Sequence, residues 1–148
     1  MKETHLISQT NNYEPALKAL KKYPKLDQWI QYRRLEITHP YYPGRDENIG
    51  GGRPINKVDR HVEDQAIQLS MDPKLMYYQY VQKSVQVCLD LADSETQKII
   101  EELYFKQTDL NSEGIAQKLH MSRKTLYKRR NAFLERLNEL MSTIKVPN

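Results

Sequence analysis

Apolar residues along the chain recur at helical spacing and nowhere alternate in the way of a half-buried strand, so the pattern predicts an all-α fold. Ala16, Leu17, Leu20 and Tyr23 mark a first short helix, and Leu26, Trp29, Ile30, Arg33 and Ile37 mark a second. Pro24 stands between them. An interior proline lacks the backbone donor and crowds the preceding turn, so the two read as an N-terminal helical hairpin. Val58 to Leu69 predicts a further helix. Asp72 then supplies an N-cap, and Pro73 a first-turn proline, for a longer helix whose buried stripe is Leu75, Tyr78, Val81, Val85, Cys88, Leu89 and Ala92. Met76, Tyr77 and Tyr80 widen this stripe beyond what one neighbour covers, which predicts a homodimer interface on the same helix.

The C-terminal third carries more specific signals. Ser94-Glu95-Thr96-Gln97 reads as a capping box opening a helix with Ile99, Ile100, Leu103 and Tyr104 on its packing face, and Lys106-Gln107-Thr108-Asp109 ends it. Asn111 or Ser112 caps a second short helix through Ile115, Ala116 and Leu119. Ala116 is small enough for close helix approach. The turn His120-Met121-Ser122 follows, with His120 at the position that calls for positive φ, which histidine tolerates better than most residues. Ser122 caps a third helix with Leu126, Phe133, Leu134, Leu137, Leu140 and Met141 turned inward. Long helices thus lead into a helix-turn-helix, and the chain divides into an N-terminal helical segment (1–40), a Gly-rich linker loop (41–57), a central helical segment (58–92) and a helix-turn-helix DNA-binding unit (93–148).

Composition narrows the function. At 148 residues the chain suits one ordinary domain or two small ones. It holds no run of apolar residues long enough for a membrane span and no signal-peptide pattern at Met1, and Cys88 is its single cysteine, so a cytoplasmic protein without a disulfide is expected. The net charge of +4 is mild but segregated: residues 1–61 carry 11 Lys/Arg against 7 Asp/Glu, 62–109 carry 4 against 9, and 112–136 carry 7 against 2. Basic segments around an acidic one suit contact with a polyanion at selected places.

The third helix of the C-terminal unit concentrates that charge. No acid occurs from Ser122 to Leu134, and Arg123, Lys124, Tyr127, Lys128 and Asn131 step along its outer face by threes and fours. Arg and Lys donate to guanine O6 and N7, Asn pairs with adenine, and a tyrosine ring packs on a thymine methyl or bonds a phosphate, so this face meets the requirements of a DNA major groove. Ser122 and Thr125 lie at its start. Arg129 and Arg130 sit at its flanks, better placed for phosphates than for base edges. The stretch from Glu113 to Arg130, Glu113-Gly114-Ile115-Ala116-Gln117-Lys118-Leu119-His120-Met121-Ser122-Arg123-Lys124-Thr125-Leu126-Tyr127-Lys128-Arg129-Arg130, resembles the helix-turn-helix of the promoter-reading C-terminal region of bacterial sigma factors. Over most of its length, and most distinctively in the loop Asp46-Glu47-Asn48-Ile49-Gly50-Gly51-Gly52-Arg53, the chain resembles the RinA family of phage late transcription activators. That resemblance implies activation of phage packaging and morphogenesis genes through host RNA polymerase, bound to double-stranded promoter or operator DNA in the bacterial cytoplasm. The alternative is the DNA-recognition small subunit of a phage packaging terminase.

Gly50, Gly51 and Gly52 invite a phosphate-binding reading, but no strand precedes them, the Lys-Ser/Thr of a P-loop is missing and Pro54 follows Arg53. Two readings of the loop stand: a connector, or an arm that orders on DNA or polymerase with Arg45 and Arg53 as contacts. Asp46, Glu47 and Asn48 lack EF-hand spacing and read as turn residues. The four histidines are dispersed, and His61 and Glu63 diverge on a helix, so no metal site, cofactor or catalytic set is expected. Lys21, Lys22, Lys25, Arg33 and Arg34 form a basic N-terminal surface, either ordinary surface charge or a second DNA contact.

Overall fold

The structure, a computed structural model, describes residues 13–40 and 55–143, with side chains of 55–60 excepted. These residues form six α-helices and, among them, no strand: α1 (Glu14–Thr38), α2 (Ile55–Met71), α3 (Pro73–Leu91), α4 (Ser94–Ile100), α5 (Ser112–Lys118) and α6 (Arg123–Met141). Helix α4 runs directly into a π-helical turn, Glu101–Phe105.

Helix α1 departs from the expected hairpin. It runs unbroken through Pro24. The reason is tertiary: Ala16, Ala19 and Leu20 before the proline and Leu26 after it are buried in the same core, and Ile30 is buried as well, so both halves gain by remaining collinear. Burying a leucine side chain stabilises by about 1.5–3 kcal/mol, and two of them suffice against the roughly 3 kcal/mol an interior proline costs. Pro24 itself faces solvent.

Asp72 and Pro73 open α3 as the sequence predicts, the Asp72 carboxylate accepting from the Leu75 amide at 2.8 Å. The same carboxylate takes two hydrogen bonds from Arg33, at 2.6 and 2.9 Å, and so pins α1 to the start of α3. Arg33 therefore serves the fold rather than a free basic surface. Leu75, Val81, Val85 and Cys88 are buried, with Tyr78, Leu89 and Ala92 partly so. Burial also pushes the Cys88 thiol pKa up, as befits a core side chain. Of the residues expected to widen the stripe, Tyr77 packs on the core beside Lys22, whereas Met76 and Tyr80 are exposed together with Val87 and Leu91. Helix α2 has no buried side chain among its described residues and is tied to α1 by Gln65, which donates to the Thr38 carbonyl at 2.9 Å.

The start of α4 also differs from expectation. Asp93, not Ser94, is the cap, its carboxylate accepting from the Thr96 amide at 2.7 Å, because a charged acceptor answers the exposed amides and helix dipole better than a hydroxyl. Gln97 turns back instead to donate to the Leu89 and Ala92 carbonyls.

Two apolar clusters meet along α6. Phe133, Leu134, Leu137 and Met141 join α1, α3 and Ile100 in the larger core, while Leu126 joins Ile99, Ile115 and Ala116 in a smaller one. The helix-turn-helix is thus built onto the bundle by a helix that belongs to both. The segments drawn from the sequence at residue 93 share a continuous interior.

Candidate nucleic-acid interface

Helix α5 starts at Asn111, whose side chain accepts from the Gly114 amide at 2.9 Å, and it buries Ile115 and Ala116. Its end is closed by the amides of His120 and Met121, which donate to the carbonyls of Gln117 and Ala116 at 3.1 and 3.0 Å. This pair of bonds is the Schellman arrangement, and it needs a left-handed residue at its centre. His120 takes that place with φ 57°. Met121 packs back toward Ala116 in the small cluster. The turn then reaches Ser122, whose hydroxyl oxygen accepts from the Thr125 amide at 3.1 Å and starts α6.

A buried carboxylate sets α5 against the preceding helix. Glu102, on the π-helical turn, receives Lys106 at 2.9 Å and Lys118 at 3.0 Å on one oxygen. Hydrogen bonds from Lys106 first and Lys118 second hold its carboxyl below the ordinary range. The Glu102 and Lys106 pair was legible from its four-residue spacing, but Lys118 is sixteen residues on and reaches Glu102 only in the fold.

The outer surface of α6 places the expected DNA-contact residues in three groups. Ser122, Arg123, Lys124 and Lys128 are exposed. Thr125, Tyr127, Arg130 and Asn131 are half-buried, the Tyr127 ring lying on the small cluster with Arg123 and Arg130 over it and Arg130 donating to Asn131 Oδ1 at 3.0 and 3.2 Å. Asn131 therefore reaches a base only by exchanging this internal partner. Arg129 leaves the group altogether, bonding to Glu95 at 2.6 Å and Asp93 at 3.3 Å across to α4. The other candidate contacts, Arg45, Gly50, Gly51, Gly52 and Arg53, lie outside the described residues.

The resulting surface is an exposed, acid-free helix start with three cations, held at a fixed angle by a capped, tightly turned partner helix. Its charge suits it to binding a polyanion. Among the described residues no cluster of His, Cys, Asp or Glu could hold a metal ion, and no helix is long and apolar enough to cross a membrane.

No curated protein and no solved structure matches the chain. The profile of a family described as "Protein of unknown function (DUF722)" matches residues 18–139, a span that takes in most of α1, most of the bundle core and the helix-turn-helix together. The chain belongs to the DUF722 family.

Proposed function

We propose that this protein is a sequence-specific DNA-binding regulator of transcription that inserts the start of α6 into the major groove. The observation that carries the reading is the α5–α6 unit itself: a Schellman turn with His120 at φ 57°, a Ser122 cap, and Arg123, Lys124 and Lys128 exposed on the helix that follows. In this reading Arg123 and Lys128 address base edges, while Ser122, Lys124, Thr125 and Arg130 address phosphates. Arg129 enters as a brace between α4 and α6.

The resemblance to RinA activators extends the proposal to phage late genes and to host RNA polymerase in the bacterial cytoplasm. A second copy, seated through the exposed Met76, Tyr80, Val87 and Leu91 of α3, matches the two-fold operators that such modules commonly read. Genome-wide occupancy in a lysogenic host tests the whole reading. Enrichment at a promoter upstream of structural genes is the expected result, and enrichment confined to a packaging site would transfer the protein to the terminase alternative. Absence of any site-specific enrichment would sink the DNA-binding reading.

A further inference from the structure

The cations around the helix-turn-helix are ordered in two different ways. Lys106 and Lys118 share Glu102, and Arg129 ends on Glu95 and Asp93, so each is held by a carboxylate that also offsets its charge in part or whole. Arg123 and Arg130 are held differently. Among the described residues neither has a carboxylate within ion-pair distance, and their guanidinium carbons lie 5.4 and 4.8 Å from the centroid of the Tyr127 ring. Arg123, Tyr127 and Arg130 are spaced by four and three residues, which stacks them along one stripe of α6.

Tyr127 is a firm platform. Its ring packs against the cluster of Ile99, Ile115, Ala116 and Leu126, and Arg123 Nη2 donates to its hydroxyl at 3.5 Å. Hydrogen bonding with Ser112, at the start of α5, and then with Arg123 holds its phenol below the ordinary pKa. A carboxylate orders a guanidinium and neutralises it. An aromatic face orders it while leaving the full charge, although Arg130, whose Nε and Nη2 also donate to Asn131 Oδ1, must exchange that neutral partner to turn the same edge to an anion.

We propose that Tyr127 is a positioning residue that presents Arg123 and Arg130 to DNA as a preordered, unneutralised pair. This rests on the reading of α6 as the DNA-contacting helix and extends it. Both arginines have already lost much of their rotamer freedom in the free protein, so less is lost on binding. The duplex then meets a charge pattern fixed in space. Tyr127 acts through the two arginines rather than by touching a base.

The test uses the full chain and its Tyr127→Phe and Tyr127→Leu variants, with two measurements. The first is NMR of the arginine Nε–Hε groups in the free protein, where a ring above the guanidinium shifts the resonance upfield. The second is titration with a duplex of the most occupied genomic sequence, and with a scrambled duplex, at several salt concentrations. Tyr127→Phe should keep both shifted signals and bind within about threefold of the parent, because the ring is what positions. Tyr127→Leu should lose both shifts and about tenfold in affinity for the specific duplex, with an unchanged salt slope since no charge is removed. The double variant Arg123→Lys, Arg130→Lys keeps the charge but not the flat stacking, and it should lose a similar factor even if Tyr127→Leu fails to fold. Parental affinity in either the leucine or the double-lysine variant overturns the proposal, as does a Tyr127→Phe loss equal to that of leucine, which would make the hydroxyl the active group. A parent that shows both shifts yet binds no DNA would overturn the function proposed for α6, and this inference with it. Shifts absent from a parent that does bind DNA would overturn the inference alone.

Discussion

Arg123, Lys128 and Arg129 share one helix and one charge, but their surroundings separate them. Arg123 and Lys128 have no carboxylate partner among the described residues, so Arg123→Ala or Lys128→Ala should weaken operator binding by about 1–3 kcal/mol each and leave circular dichroism unchanged. Arg129 braces Glu95 and Asp93, so Arg129→Ala should lower stability by at most about 1 kcal/mol and disturb DNA affinity less than either. Equal losses of affinity from all three would show that the helix offers undifferentiated positive charge. His120 gives a second test at this scale. A non-glycine residue in the left-handed region is strained by about 1–2 kcal/mol, so His120→Gly should raise the urea midpoint and His120→Val should lower it. The residue types on α6 were legible in the sequence because period and composition define a helix face. Their partners were not, since Glu95 lies 34 positions from Arg129 and no local rule joins them.

At the scale of elements, α1 is the clearest departure from local propensity. Pro24 is exposed within a helix whose two halves share one core, so Pro24→Ala restores a backbone donor without disturbing packing. It should stabilise the protein by about 1–3 kcal/mol in chemical denaturation. No gain would mean that the proline's cost is met by a local rearrangement of α1. Two carboxylates join elements together: Asp72 links α1 to α3, and Glu102 links the π-helical turn to α5. Their folded pKa values are depressed, by hydrogen bonds from Arg33 to Asp72 and from Lys106 and then Lys118 to Glu102. Such groups contribute stability that is complete above the ordinary carboxylate pKa and is lost as pH falls through the folded values. Melting temperature should therefore fall between about pH 5 and pH 3, and Glu102→Gln or Asp72→Asn should start lower and decline less over the same interval. A parallel decline in the variants would assign the acid sensitivity to other groups.

For the molecule as a whole, the shared helix α6 couples its exposed basic face to the bundle. Leu134 is 1% exposed in the larger core, well along the helix from Arg123, and Leu134→Ala should cost about 2–5 kcal/mol. The transition should remain single, with the helix-turn-helix melting together with α1 and α3. A first transition that leaves residues 94–126 folded in hydrogen exchange would show that the smaller cluster stands alone. The match of one family profile to residues 18–139 treats the bundle and the helix-turn-helix as one stretch, in keeping with this shared interior.

By itself the sequence determined the helical class, the placing of Asp72 and Ser122 as caps, the left-handed turn at His120 and the basic stripe on α6, and it narrowed the cap of α5 to Asn111 or Ser112. Each depends on residues within one or two turns of one another, where period, capping and steric tolerance act directly. The tertiary structure alone decided that α1 continues through Pro24, that Arg33 and Arg129 spend their charge on Asp72 and Glu95, and that Glu102 anchors Lys118. It also placed Arg123 and Arg130 over Tyr127 and set two separate apolar clusters along α6. Those outcomes turn on which distant side chains compete for the same burial and the same charges, and that competition is resolved only when the helices pack.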